Sequence, residues 1–388
     1  MKKGWQKMKL GGLCTLISGR HIEPKDYNTK CRGVGYLTGP ADFGQLNPII
    51  SKWTEHPQAL AQSGDILITV KGAGVGKINL LDADNVAISR QLMAIRVAGA
   101  DPRLVYAFLG SQFEYFQSLG SGATVPGLCR EDILGLQVSM PPLPEQRRIV
   151  GLLDAAFAGI ATATAHAEKN LQNAHALFES HLQAVFSQRG KGWEEKTLDE
   201  ICIKITDGEH LRPKVTTDGV PFLSAKDVLD HDVVFTAPLF VSETDATKFR
   251  KRCDPSMGDI LIVSRGATVG RTCIVKTSRT FCLLGSVILL RAGPTISSHY
   301  LSYALKSPAI RGKLTTASEA SAQQAIYLRD IKPLKIACPS LAAQKAIASA
   351  LDALLVETQC LGRLYEQKLA ALAALKRSLL HQAFAGEL

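Results

Sequence analysis

Charge is scarce in this chain. Only 21% of its 388 residues are Asp, Glu, Lys or Arg, and aromatic residues contribute 6%. With apolar residues at 46%, this composition excludes a largely disordered polypeptide. The nine cysteines are odd in number and contain no C-x-x-C pair. That argues against a disulfide framework or a zinc site and leads us to expect reduced thiols in a cytoplasm. Long hydrophobic runs are missing too: the longest, near Phe281–Leu290, is too short to span a bilayer and reads as a buried strand. No apolar core follows Met1-Lys2-Lys3, so no signal peptide is expected.

Motifs that carry chemistry are also absent. Two glycine loops, Lys71-Gly72-Ala73-Gly74-Val75-Gly76-Lys77 and Arg265-Gly266-Ala267-Thr268-Val269-Gly270-Arg271, each follow a strand-like run. A P-loop would need glycine where Lys71 stands and Ser or Thr where Ile78 stands, and G-x-G-x-x-G fits neither loop. The nearest approach to an amino-methyltransferase [DN]-P-P-[FYW] motif is Asn47-Pro48-Ile49-Ile50, which lacks the second proline and the aromatic residue. There is no glycine loop suited to S-adenosylmethionine, no Walker pair and no nuclease-like carboxylate cluster. The expectation is a chain without catalytic residues, metal or cofactor of its own.

What the chain does have is a duplication. Residues 131–186 align without a gap onto residues 329–384 at a constant offset of 198. Asp132-Ile133 falls on Asp330-Ile331, Gln146 on Gln344, Leu153-Asp154 on Leu351-Asp352 and Phe186 on Phe384. Upstream, with small shifts of register, Gly4-Trp5 returns as Gly192-Trp193, Gly64-Asp65-Ile66-Leu67-Ile68 as Gly258-Asp259-Ile260-Leu261-Ile262, and Ile95-Arg96 as Leu290-Arg291. A repeat of this kind means two copies of one unit, each a variable module followed by a better-kept segment.

The kept segments read as long helices. From Glu145 to about Gln188 there is no proline, and apolar residues recur at Ile149, Leu153, Ala156, Ile160, Ala163, Ala167, Leu171, Ala174, Phe178, Leu182 and Val185. Steps of three and four make a heptad-like seam with stutters. In the second copy the seam is Ile347, Leu351, Leu354, Thr358, Leu361, Tyr365, Leu369, Leu372, Leu380 and Ala383. Each helix would be roughly 60–65 Å long and would need a partner for its stripe. The repeat packed antiparallel would supply it; two separate helical hairpins are the alternative. Pro141, Pro142 and Pro144 before or at the first helix, and Pro339 before the second, suit helix starts.

The net charge of +10 is unevenly spread. Residues 1–142 carry 15 Lys/Arg against 11 Asp/Glu and residues 191–339 carry 21 against 16, whereas residues 143–190 balance and residues 340–388 carry 5 against 4. A basic excess on the modules suits a polyanion, though net charge reports solubility as readily. Each module mixes short strands with one or two helical patches, an α+β pattern. The cations flanking the glycine loops, Lys71, Lys77, Arg265 and Arg271, are either phosphate contacts or solvated charges around a structural turn. Ser18-Gly19-Arg20-His21 with Lys25, and Asp207-Gly208-Glu209-His210 with Arg212 and Lys214, are polar openings at equivalent places. The first copy lacks the Asp, so Asp207 and His210 read as a local hydrogen bond rather than an acid–base pair. Arg90 is a further candidate cation. Thr124, in Gly122–Pro126, aligns with the region of Gln323 and Gln324, glutamines that could read adenine or be merely exposed.

Pro141-Pro142-Leu143-Pro144-Glu145-Gln146-Arg147-Arg148-Ile149, closing a variable module and opening a long helix, resembles the signature of Type I restriction–modification specificity subunits. The second copy, Pro339-Ser340-Leu341-Ala342-Ala343-Gln344-Lys345-Ala346-Ile347, keeps Pro, Leu, Gln and Ile but has Ala343 where Glu is usual. Trp5 and Trp193, Gly33–Thr38 and Gly219–Ser224, and the tail Gln382–Leu388 fit the same pattern, so the resemblance covers essentially the whole chain.

The resemblance implies an α+β protein with two similar globular target recognition domains separated by two long antiparallel coiled-coil helices, a pseudo-two-fold repeat. Its domains would be 1–142 and 191–339 for recognition and 143–190 and 340–388 for the spacer. The partners implied are double-stranded DNA, two methyltransferase subunits carrying S-adenosylmethionine, and motor–nuclease subunits. Leu143, Glu145, Gln146, Ile149, Leu341, Gln344 and Ile347 would contact the methyltransferases. The tail near Leu388 would lie close to Trp5, and Ala343 puts equal affinity for the two methyltransferases in question. Rival readings are the recognition subunit of another split-site system with a combined methylase–nuclease, a duplicated protein-interaction scaffold, and a self-contained DNA enzyme.

Overall fold

A computed structural model describes residues 4–120, 127–188, 190, 192–211, 213–319 and 325–388. The chain divides into two compact units. The first is Met1–Glu168 with Gln367–Leu388, and the second is Lys169–Glu366. Each unit therefore combines one α+β module with the start of one long helix and the end of the other, or the reverse.

In the first unit a four-stranded antiparallel sheet runs in the order Cys14–Ser18, Leu92–Val97, Ile66–Thr69, Ile78–Leu80. Ile66, Leu67 and Ile68 are wholly buried, as expected of a short apolar run covered on both faces. A smaller sheet is built from Trp53–Thr54, Val34–Leu37, Val86–Ile88 and Leu60–Ala61. The helix Pro102–Ser111 starts where Asp101 accepts a hydrogen bond from Arg103 N at 2.9 Å, with Pro102 in the first turn. The second unit repeats the main sheet as Cys202–Asp207, Val287–Ala292, Ile260–Val263 and Thr272–Ile274. Its smaller sheet has three strands, Leu239–Val241, Val220–Leu223 and Cys282–Leu283.

The anchors of the repeat meet in space. In the first unit Asp65 receives Arg96 through two hydrogen bonds, Nε at 2.9 Å and Nη2 at 2.8 Å. In the second, Asp259 receives Arg291 in the same way, at 2.9 and 2.8 Å. Both carboxylates are almost wholly buried, 2% and 4% exposed at the side chain. A bidentate pair satisfies a buried carboxylate that would otherwise be costly. Hydrogen bonding to their carboxylates raises the pKa of both arginines.

The kept segments form two helices of 45 residues, Leu143–Ser187 and Leu341–Ala385. In the first unit Ile149, Val150 and Leu153 share a core with Leu380 and Ala383, and Lys376 Nζ sits 5.1 Å from the ring centre of Phe157. Rising numbers on one helix meet falling numbers on the other, so these segments run antiparallel. Trp5 and Leu388 pack against the same core. In the second unit Leu182, Phe178 and Phe186 join Ala348, Leu351 and Ile347 in the same sense. The first seam is buried or half-buried throughout. The second departs at one point: Leu361 is 40% exposed while Gly362 is buried beside His175. One stretch of the first helix is apolar and long enough by composition to cross a membrane. Here Ile149, Val150 and Leu153 lie in a protein core and Asp154 pairs with Arg103 at 2.8 Å.

Candidate nucleic-acid interface

Strand direction gathers residues that are far apart in sequence. In the first main sheet Ser18 pairs with Met93, Thr69 with Leu92 and Ile68 with Ile78. The end of the first strand, the start of Leu92–Val97, the end of Ile66–Thr69 and the start of Ile78–Leu80 therefore lie at one edge. That edge carries Arg20, Arg90, Lys71 and Lys77, all exposed. Arg20 N bonds to Ile88 O at 2.9 Å and Val70 N to Gln91 O at 2.8 Å, which ties the turn bearing Arg90 to its neighbours on both sides. Lys25 is exposed on a separate turn, Pro24–Asp26.

The glycine loops adopt one geometry twice. Gly76 N bonds back to Thr69 O and Gly270 N back to Val263 O, both at 2.9 Å. Val75 N bonds to Gly72 O at 3.1 Å and Val269 N to Gly266 O at 3.2 Å. Gly72, Gly76, Gly266 and Gly270 all have positive φ, a region that other residues enter only with strain. A Cβ on Gly76 would also lie 2.7 Å from Phe116 Cβ. The glycines thus serve the turn, and the flanking cations are left for other work.

Each loop is joined to the segment that carries the predicted base readers. Lys71 forms an isolated bridge with Gly127, and Leu128 N bonds to Val70 O at 2.9 Å. Arg265 forms the matching bridge with Ala325, and Ile326 N bonds to Ser264 O at 2.9 Å. Thr124, Gln323 and Gln324 themselves, and Arg212, lie outside the described residues. Arg265 is half-buried, with its guanidinium 5.7 Å from the centre of the Tyr327 ring, within cation–π range.

The fold engages several of the predicted site residues internally. Arg271 is not a free cation: Nη1 bonds to Val228 O at 3.3 Å and Nε lies 3.8 Å from Asp230, so it braces the 228–230 turn. Gln146, Gln344 and Ile149 do not face outward. Gln146 is 3% exposed, accepting from Asp101 N at 2.7 Å and donating to Pro141 O at 2.8 Å. Gln344, 1% exposed, accepts from Ser297 N at 2.8 Å and donates to Pro339 O at 2.9 Å and Thr295 O at 3.1 Å. Each glutamine locks the start of a long helix to the start of a module helix. Ile149 is wholly buried, and Ile347 packs half-buried against the second core. Leu143 and Leu341 do remain exposed.

Glu145 pairs with Arg148 at 2.7 Å, and Arg148 also donates to Leu388 O at 2.8 Å. In the second copy Ala343 and Ala346 occupy both positions of that pair. Charge and countercharge are lost together there, leaving no orphan.

The second module's equivalent edge differs in chemistry. Asp207 lies 2.8 Å from His210 and also holds Arg252, so the Asp-Gly-x-His element is a local contact within the loop. Lys214 is exposed nearby in sequence. Arg252 brings with it a cluster that sequence reading passed over. Lys248, Lys251 and Arg252 are exposed where the helix Glu243–Arg250 ends, and Arg250 Nη1 is tied to Phe281 O at 3.0 Å. Four cations in the five residues 248–252 were the available signal.

Comparison with known proteins agrees on one family. The model of the Type I restriction modification DNA specificity domain matches residues 2–172 and again 190–367. A candidate specificity subunit of the type I restriction enzyme MjaX from Methanocaldococcus jannaschii is 30% identical over 155 residues, 39% of this chain and 36% of that protein. The EcoBI specificity subunit of Escherichia coli is 24% identical over 323 residues, 74% of this chain and 65% of that protein. The matches thus span less than two thirds of either relative. Among solved structures, a chain of a type I R-M system studied for complex assembly and conformational transition superposes with a TM-score of 0.82 at 22% identity, covering 100% of this chain and 99% of that one. The HsdS subunit of Thermoanaerobacter tengcongensis gives 0.64 at 21%, covering 100% and 98%. At these identities the two structures bear on the fold.

Proposed function

The chain belongs to the Type I restriction–modification DNA specificity family, and on that premise we propose that it is a non-catalytic subunit that reads a bipartite DNA target and directs partner methyltransferase subunits to it. The observation that carries the reading is the edge built twice, where a glycine loop with its leading cation is bridged, at Gly127 and at Ala325, to the segment that leads into the long helix. Residues 1–142 and 191–339 act as the two readers, with 143–190 and 340–388 as the spacer between them. Arg20, Lys25, Lys71, Lys77, Arg90, Arg212, Lys214 and Arg265 contact phosphates; Thr124, Gln323 and Gln324 face bases. Phosphate contacts supply affinity and its salt dependence, whereas base contacts supply sequence choice.

Two methyltransferase subunits and, in the restriction-competent assembly, motor–nuclease subunits are the protein partners. Exposed Leu143 and Leu341 at the helix starts support docking there. Methylation of a base inside a duplex requires the partner to flip it out, and S-adenosylmethionine belongs to that partner. Joining two short readouts on one chain combines their binding free energies into one long specificity.

The test is a map of methylated bases after co-expression with the methyltransferase encoded beside this chain, repeated with the chain omitted. A split motif with a fixed unspecified gap, dependent on this chain, is the expected result. A continuous motif would break the two-reader scheme. No methylation with a demonstrably active partner would return the chain to the scaffold reading.

A further inference from the structure

Leu211 is the most exposed large apolar side chain among the described residues, 77% accessible. It follows a tightly held turn, residues 207–210. Its own N–H bonds to Glu209 Oε1 at 3.0 Å, Glu209 N to Leu283 O at 2.8 Å, and Gly285 N to Glu209 O at 2.7 Å. Asp207 holds the loop from beneath through His210 and Arg252. Packing is close enough that a Cβ on Gly208 would lie 2.2 Å from Leu283 O, and one on Gly285 2.6 Å from His210 Nδ1.

The first module does the opposite at the same register. Gly19 N bonds to Leu92 O and Gly208 N to Val287 O, both at 3.1 Å, so Ile22 is the counterpart of Leu211. Ile22 is 3% exposed and packs with Tyr36 and Ala87. An apolar residue is therefore buried in one reader and presented in the other.

Arg252 pairs with Asp207 at the base of this loop, Lys214 is exposed three residues along the chain, and Arg265 follows the strand that ends at the same end of the sheet. An exposed apolar side chain in a module whose same sheet end also carries arginine suits duplex DNA, whose phosphates flank the base edges. On those edges the apolar feature of the major groove is the thymine 5-methyl group. Resting on the DNA-reading function above, we propose that Leu211 is a specificity contact of the second module, packing on the 5-methyl group of a thymine in its half-site. Asp207 and Glu209 are positioning residues that hold the loop.

The test uses the assembled complex with its methyltransferase, after the split target has been mapped by methylation. Each thymine of the second module's half-site is replaced in turn by uracil, which removes one methyl group, and binding is measured for wild type, Leu211→Ala and Leu211→Val. At one position wild type should bind the uracil duplex about fourfold more weakly. Leu211→Ala should bind both duplexes equally, and Leu211→Val should retain part of the discrimination. The side chain is exposed, so these variants keep the fold. Indifference of wild type at every thymine, a half-site without thymine, or discrimination surviving in Leu211→Ala would overturn the assignment. An equal loss on both duplexes would also overturn it, in favour of a wedge between base steps. A wild-type complex with no split motif would sink the functional reading itself.

Discussion

Replacing Gln344 with leucine separates two incompatible roles for one residue. As a docking residue, its loss would weaken the methyltransferase complex and leave the fold alone. In the structure its side chain satisfies Ser297 N, Thr295 O and Pro339 O at a site 1% exposed. Leucine matches its bulk but leaves one donor and two acceptors without that partner. Each unsatisfied buried group costs about 1–3 kcal/mol, less whatever relaxation recovers. We expect a loss of about 3 kcal/mol or more for Gln344→Leu. Gln146 makes two such bonds, to Asp101 N and Pro141 O, so Gln146→Leu should cost about 2 kcal/mol. Urea unfolding provides the assay, with Trp193, packed against Tyr300, reporting the second module for Gln344→Leu and Trp5, packed on the first core, reporting the first for Gln146→Leu. A lowered midpoint at unchanged slope is the expected signature. Wild-type midpoints for both variants, together with loss of methyltransferase binding, would refute the clamp and restore the glutamines to the docking surface.

Other perturbations probe the remaining devices. Arg96→Met should destabilise the first module by about 3–5 kcal/mol because it strands a buried carboxylate, and a second change, Asp65→Leu, should recover much of that loss; a thermal melt of the three variants checks it. For Asp254, burial raises the carboxyl pKa, but the Lys204 hydrogen bond and the Arg291 charge outweigh it and hold the group below its ordinary value. A depressed folded value contributes stability above the unfolded pKa of about 3.9 and loses it as pH falls through the folded value. Asp254→Asn should therefore narrow the stability gap between pH 7 and pH 3 in urea titrations, and an unchanged pH profile would remove the residue from acid unfolding. Lys71→Ala and Arg265→Ala should each weaken DNA binding across all sequences and reduce the salt slope by about 1, whereas unchanged affinity and slope would take those residues out of the interface. Cys31, Cys129 and Cys360 should react quickly with a thiol reagent in the native protein. Burial pushes the Cys14 and Cys282 thiols up to about 11 and those of Cys253 and Cys273 to about 12, so these should react only on unfolding.

Legibility differed between local and non-local features. The helix seam was readable because a 3.6-residue period places its members on one face whatever lies opposite. It failed only at Leu361, where Gly362 turns inward beside His175 and the neighbouring leucine is carried out. The Gly-Asp-Ile-Leu runs and the Ile-Arg and Leu-Arg dipeptides stood out as repeat anchors without a reason. Their reason is a bidentate pair between strands whose separation in the chain conceals it. Gln146 and Gln344 were visible as a matched pair too, yet repetition does not say whether a side chain points outward or inward.

The sequence by itself determined the duplication, the α+β character of the modules, the two long helices and the turn-forming glycines. Each of these rests on periodicity, composition or backbone preference, which are properties of neighbouring residues. Only the tertiary structure decided that Arg20, Lys71, Lys77 and Arg90 share one sheet edge, that Arg271 is bound internally, and that Ile22 is buried where Leu211 is presented. Those outcomes depend on strand pairing and on which groups find partners across the fold. Which side chains the packed protein leaves accessible is therefore set by the tertiary fold.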